Sequence, residues 1–321
     1  MEFFIVYTNF IYYFSMRNKR FFIPLFMGGI FMLTCHSCSM CNRQQATIEG
    51  ITIDLADLAI DTTFVNMAHE VFYALPTPIE MSMLIKSSGI EYQSALLNDP
   101  AIASKYLTNK KMALNFGVYA ADLTYAGLFE QSQTVLRYKK AILQLTDGLG
   151  LRSAIDPNTM QRLEANINNK EVVMQIISNT YSSCTASLNE SDRYVLTLAI
   201  LVGGWVEGMY IATSMTDEKL PSNESRMKQL VVNQKLAFDL IWQAMSSLKD
   251  IQEVSDLTNE MSGLAQLFSM VSIQQAPNTV TSGDDGKTSD ISSTNTNNVT
   301  SELFVAIKKQ IQKLRDNFIK Q

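Results

Sequence analysis

Apolar residues recur three and four positions apart along most of the chain, the period of helices with one buried face. Thr63 to Ala74 carries this period and stops before Leu75-Pro76-Thr77-Pro78. Thr77 reads as an N-cap, with Pro78 in the first helical position and Glu80 three residues after the cap. That helix runs to Ser88, and Gly89 supplies the residue that ends it. Asn109 to about Phe129 is long and apolar over a broad face that includes Met112, Leu114, Phe116, Val118, Tyr119, Leu123 and Leu128. After a break near Glu130, Gln131 to Thr146 follows and ends with Gly148 and Gly150. Asp156 caps a further helix with Pro157 first, and Asn169 to Leu188 forms another. A very apolar helix then starts at Ser191 and runs through Met215; Pro221 marks a turn, and Asn223 to Leu248 is helical. Ser255 caps a last segment ending near Val271.

These elements predict an all-α multi-helix bundle, with residues 63–273 as one helical domain. The successions 109–188 and 191–272 have similar lengths in similar order. They fit a tandem pseudo-duplication of a three-helix unit, and they equally fit the rhythm of any helical protein.

The pattern fails over residues 274–299, which lack large apolar side chains and are predicted to be a disordered linker. Behind it, residues 300–321 hold an amphipathic helix capped by Ser301. Leu303, Ile307, Ile311, Leu314 and Phe318 form its stripe, flanked by Lys308, Lys309, Lys313, Arg315 and Lys320. Three uses suit such a stripe: docking onto the bundle, binding another envelope protein, or lying on an anionic membrane.

Composition agrees with long helices. Of 321 residues, 46% are hydrophobic and 18% charged, with only 7 prolines and 14 glycines, and 17 methionines available to fill apolar faces. A net charge of −5 without any basic stripe argues against nucleic acid as a partner.

The N-terminal region reads as an address. Arg17, Lys19 and Arg20 form a positive n-region ahead of the apolar stretch Phe21 to Leu33, which is interrupted by Pro24 and Gly28-Gly29. As a helix this stretch spans roughly 20 Å, short of the ~30 Å hydrocarbon core, so a signal peptide is expected rather than a permanent anchor. Residues 1–15 precede the n-region and do not belong to a signal, which places the true start at Met16, with a longer apolar N-terminal hairpin as the alternative. Met32-Leu33-Thr34-Cys35 resembles a bacterial lipobox, with threonine where a smaller residue is usual, and makes Cys35 the candidate acylated residue. An ordinary cleavage before Cys38 is the alternative. Cys35-x-x-Cys38-x-x-Cys41 supplies three thiols where structural zinc wants four ligands, with only the adjacent His36 or the distant Cys184 to add to them, and C-x-x-C-H is absent, so neither a metal nor another cofactor is expected. Residues 1–41 are thus a signal and lipoprotein segment and 42–62 a tether.

The segment KYLTNKKMALNFGVYAADLTY, Lys105 to Tyr125, with GGWVEGMYIAT at Gly203 to Thr213 and the turn at Ala74 to Pro78, resembles a family of exported or lipid-anchored helical proteins of Bacteroidota. The resemblance covers roughly residues 70–272 and implies an envelope location and a helical fold. No activity attaches to that family, so it transfers no catalytic residue. The stretch after Cys35, HSCSMCNRQQ, lacks the acidic tether of many surface-exposed lipoproteins of that group, which suggests a periplasm-facing position at the outer membrane.

His36 and His69 are the only histidines, and paired E-x-x-H motifs, H-E-x-x-H, a P-loop and an EF-hand loop are all absent. Two carboxylates stand out instead. Asp122 and Glu207 each interrupt an apolar helix, and each is followed three positions on by a tyrosine, Tyr125 and Tyr210. A tyrosine at that spacing shares a face with its acid. Gly117-x-x-x-Ala121 and Gly204-x-x-x-Gly208 would let two helix backbones approach closely, placing both acids centrally. A buried carboxylate must be bonded, paired or protonated. The four residues are either a small polar or cation pocket or two structurally satisfied acids, and the structural reading is preferred. Cys184 reads as a buried free thiol, or as a partner of Cys38 or Cys41.

The function expected from the sequence is a non-enzymatic, membrane-anchored helical scaffold or binding protein. A carrier of a hydrophobic ligand or lipid is the alternative, for which an apolar tunnel lined by Phe116, Trp205 and Met209 would speak. An enzyme using Asp122 and Glu207 would need an open cleft exposing both.

Overall fold

Thr108 stands at the start of the first long helix, where its hydroxyl accepts the Lys111 backbone N–H at 3.2 Å and so satisfies one of the free donors of the helix end. In the computed structural model this helix, α1, covers Asn109–Leu128. The structure describes residues 82–83, 85–86, 91–191, 193–215, 221–272, 279–282, 289–292 and 299–321. The signal segment, Met16, Cys35, the tether, the helix at Thr63 to Ala74, the cap at Thr77 to Glu80, and Gly89 lie outside these residues. Within the next expected helix, Ser82, Met83, Ile85 and Lys86 are helical.

The helices after α1 are α2 (Ser132–Gly148), α3 (Thr159–Ala165), α4 (Lys170–Glu190), α5 (Tyr194–Ser214), α6 (Pro221–Asn233), α7 (Lys235–Ser247), α8 (Gln252–Ser269) and α9 (Ser301–Ile319). The architecture is an all-α multi-helix bundle.

Two helices form its centre. Every residue of α1 from Ala113 to Leu128 is buried. In α5 only Leu201 and Tyr210 escape full burial between Thr197 and Thr213. Helices apolar all round belong inside a fold or a membrane. By length and composition α5 could cross a membrane, yet 83% of its apolar window is buried in the bundle, as in a core helix. Glycines let α1 and α5 touch along their backbones. A Cβ on Gly117 would stand 2.0 Å from the carbonyl oxygen of Ile200, and one on Gly203 would stand 2.0 Å from that of Leu114.

The α1–α2 turn is a Schellman closure, with Glu130 N–H donating to Gly127 O at 3.0 Å and Gln131 N–H to Ala126 O at 2.9 Å. It forces Glu130 to a φ of 59°. At the end of α2 the same closure falls on Gly150, at φ 68°, where glycine takes the conformation without steric cost.

Several expected boundaries shift. The single helix expected from Asn223 to Leu248 is two, α6 and α7, divided at Gln234, whose side-chain oxygen accepts the Trp205 indole N–H at 3.1 Å. That bond ties the break to α5. Ser255 lies inside α8 rather than capping it, because the helix begins at Gln252 without any side-chain cap. Asp156 accepts the Asn158 N–H in a turn ahead of α3, and the cap of α9 is Thr300, one residue before the expected Ser301.

Within the segment expected to be a disordered linker, β1 (Thr279–Ser282) and β2 (Ser289–Ser292) pair antiparallel, Thr279 opposite Ser292 and Val280 opposite Ile291. An isolated two-stranded ladder of this length is marginal in water. Val299, by contrast, is buried and belongs to the fold. Replacing residues 274–298 with a Gly-Ser stretch of equal length should therefore change the unfolding free energy by less than about 1 kcal/mol, read from urea titration. A larger loss would show that the segment is held against the bundle.

The stripe of α9 is covered. Of the expected stripe, Ile307, Ile311, Leu314 and Phe318 are buried, with Phe304 beside them, and Leu303 is half-buried; the helix packs against α5, α8 and α1, so the stripe docks onto the bundle. Side chains from α1 close its C-terminal end. Lys111 Nζ donates to the carbonyl oxygens of Asn317 at 2.7 Å and Lys320 at 2.8 Å, and Asn115 Nδ2 to that of Phe318 at 2.9 Å. A cation and an amide donor at a helix C-terminus complement its unpaired carbonyls and its dipole.

Candidate functional site

Asp122 enters the core from α1 and Glu207 from α5, and both are 0% exposed. The close glycine contact of these helices brings the two carboxyls near enough to act on each other's charge and for one proton to bond them. Asp122 Oδ2 also accepts the backbone N–H of Asn98 at 3.1 Å, whereas Asp122 Oδ1 has no donor.

Arg315 completes the site from α9. Its Nε donates to Glu207 Oε2 at 3.1 Å and its Nη2 to Glu207 Oε1 at 3.3 Å, a two-pronged pairing that suits a planar guanidinium. Nη2 also donates to the carbonyl oxygen of Leu96 at 3.2 Å, and the guanidinium carbon lies 4.5 Å from the ring centroid of Tyr210. Arg315 is 8% exposed, so the pair is nearly dry.

The segment ahead of α1 seals the other side. Tyr138 of α2 donates its hydroxyl to the carbonyl oxygen of Asn98 at 2.5 Å, and Asn98 Nδ2 donates to the Tyr106 hydroxyl at 3.2 Å. Tyr106 in turn donates to the carbonyl oxygen of Ile319 at 3.1 Å, and Tyr119 to that of Asp99 at 2.8 Å. The loop at 98–99 is thereby pinned over Asp122 by three elements.

The electrostatics follow from burial. Desolvation pushes the Asp122 carboxyl well above the ordinary carboxylate range, and the negative charge of Glu207 pushes it further. Desolvation also raises Glu207, but the Arg315 guanidinium opposes that shift by charge and by hydrogen bonds. Of the two, Asp122 is the acid pushed further toward its protonated form, and Glu207 is the one whose charge Arg315 balances. A protonated Asp122 donates to Glu207 and so satisfies the contact that an ionised one would leave without a donor. The arrangement is electrically neutral, and it links α1, α5 and α9 in the core.

Neither tyrosine at the i,i+3 position is the acid's hydrogen-bond partner. The Tyr125 hydroxyl accepts the Gln93 backbone N–H at 3.0 Å, and its ring stacks on Tyr92 with centroids 5.1 Å apart. Burial pushes its pKa up to about 12. Tyr210 meets Arg315 through its ring face and not Glu207 through its hydroxyl. A shared helix face thus did not decide partnership, because the donors came from other elements: Asn98, Arg315 and the proton of Asp122 itself. Arg315 was placed by sequence among the cations flanking the α9 stripe. A signal for it did exist: Ile307, Ile311 and Arg315 follow at steps of four, which sets the arginine on the buried face.

Phe116, Trp205 and Met209 are packed in the core and form no tunnel among the described residues; the cavity that Phe116 lines holds only about 30 Å³. Cys184 is a buried free thiol, which burial pushes up to about 12. No group of three or more metal-ligating side chains occurs among the described residues. Comparison of the chain with protein-family models, curated proteins and solved structures finds no match.

Proposed function

We propose that the protein is a non-enzymatic helical scaffold or binding protein of the cell envelope, anchored at the outer membrane by acylated Cys35 and facing the periplasm. The observation that carries the non-enzymatic part is the closure of its conspicuous acids: Asp122 and Glu207 are 0% exposed, and Glu207 is committed to Arg315. A general acid or base must reach a substrate atom directly or through one water. The n-region, apolar stretch and Cys35 of the sequence support the anchoring part, as does the resemblance of Lys105 to Tyr125 and Gly203 to Thr213 to exported helical proteins. Intact mass of protein purified from a host that processes lipoproteins is expected to show acyl chains on Cys35, with export unchanged when translation begins at Met16. An unmodified N-terminus at Cys38 would exclude the anchor.

One observation favours the carrier as a second reading. A cavity of about 450 Å³ lies among the first turns of α1, α5 and α8, with Val195, Leu198, Val254 and Leu257 in its wall beside Lys110 and Arg193. Its volume falls in the range of small-molecule sites. A carrier would bind a fluorescent fatty acid there and lose it on Leu198→Trp; the scaffold reading expects no saturable binding.

A further inference from the structure

We propose that the single proton held between Asp122 and Glu207 latches the C-terminal helix, so that α9 stays docked while the proton is present and is released when it is lost. The groups that face this pair are Arg315 and Asp316 from α9, Tyr210 from α5, Tyr138 from α2, Tyr119 from α1 itself, and Tyr92 and Tyr106 from the segment before α1. The one cation among them is Arg315. With Asp122 neutral, Glu207 and Arg315 cancel. With Asp122 ionised, two buried carboxylates face one guanidinium, and Oδ1 of Asp122 is a charged oxygen without a donor.

Which element yields is set by how each is held. The backbones of α1 and α5 interlock at Gly117 and Gly203 and cannot separate by small steps. α9 is held to them by side chains: its apolar stripe, Arg315, and the Lys111, Asn115 and Tyr106 contacts at its end. Undocking α9 takes the guanidinium away but opens the pair to water, where both carboxylates are tolerated. Opening therefore relieves the strain of the second charge at the smallest structural cost.

The direction follows from linkage. Asp122 is raised in the folded protein, so its contribution is complete below the ordinary carboxylate pKa and is lost as pH rises through the raised value. Between those two values the opening constant of α9 climbs about tenfold per pH unit, one proton being released. Lys111 adds a separate alkaline effect, since burial lowers its pKa and its neutral amine is a weaker cap.

Hydrogen-exchange protection of α9 amides in the whole protein, corrected for intrinsic exchange from pH 5 to pH 9, tests this. Protection in α9 should fall about tenfold per pH unit over the window while α1 and α5 stay protected. Asp122→Asn, which copies the neutral acid, should abolish the fall, and Lys111→Met should retain it. An independent readout on the unaltered protein is the infrared band of a protonated carboxyl, isotope-assigned to aspartate, disappearing over the same pH range. Protection that is flat in the wild type, a fall that persists in Asp122→Asn, or absence of the protonated band at neutral pH would each overturn the latch.

Discussion

Arg315→Met is expected to lower the unfolding free energy by about 3–5 kcal/mol at neutral pH, measured by urea denaturation. The loss is not the worth of a salt bridge in isolation. Methionine matches the stem of arginine well enough to keep α9 packed, so little of the effect comes from a cavity. What remains is Glu207, ionised at a position with 0% exposure and stripped of both guanidinium hydrogen bonds. The carboxylate must then either stay charged in a dry core or take up a proton, and both cost free energy. Glu207→Gln should be comparably damaging for the mirror reason, since it leaves Arg315 charged at 8% exposure with its hydrogen bonds to the acid weakened. Asp122→Asn belongs to another class. Asparagine preserves an acceptor for the Asn98 N–H and a donor toward Glu207, and it spares the fold the cost of keeping an acid protonated at neutral pH, so the expected result is unchanged or higher stability. A large loss in Asp122→Asn together with a small one in Arg315→Met would reverse the assignment of charge and proton.

Gly203→Ala should cost about 3 kcal/mol or more, or prevent folding. Overpacking a core commonly costs 1–3 kcal/mol when side chains adjust. Here the obstacle is backbone: the new Cβ would lie 2.0 Å from the Leu114 carbonyl oxygen and 2.9 Å from its carbon. Relief requires α1 and α5 to move apart, which would also pull Asp122 away from Glu207 and loosen the loop over both. Gly117→Ala meets the Ile200 carbonyl oxygen at 2.0 Å and should behave alike. Gly263→Ala in α8 is the control. Its Cβ would meet only the end of the Gln310 side chain, at 2.9 Å, which can swing aside. The helix-propensity gain of alanine over glycine, up to about 1 kcal/mol, offsets that adjustment, so a near-neutral result is expected. Thermal or urea midpoints of the three variants, measured side by side, separate backbone interlock from a general intolerance of added volume.

The helices were legible because their apolar period is long and uninterrupted. In α1 and α5 the same pattern also told depth, since no polar face was left for solvent, and the glycines pointed to a close crossing. Boundaries were legible where a backbone requirement left a mark, as at the left-handed Gly150. They were not where the deciding partner came from elsewhere in the fold. Gln234 divides α6 from α7 through a bond to Trp205, 29 residues away, and nothing local announces it. The site shows the same limit. Asp122 and Glu207 were conspicuous as acids in apolar helices, but the same-face rule could nominate only partners on their own helices. The partner of Glu207 lies 108 residues further along the chain. Its place on the Ile307–Ile311–Arg315 line was readable only once that face was known to be buried. Asn98, whose backbone bonds Asp122, sits in irregular chain where periodicity carries no information.

The double-mutant cycle joining Glu207 and Arg315 tests most directly whether these buried charges exist to hold α9 on the bundle. Wild type, Glu207→Gln, Arg315→Met and the combined variant are unfolded in urea at one neutral pH, with hydrogen exchange of α9 recorded on each. The combined variant has no uncompensated charge, so it should be more stable than either single variant, with a coupling energy of about 2–3 kcal/mol. Losses that simply add, in a double variant less stable than both singles, would contradict the account and return Glu207 and Arg315 to independent roles.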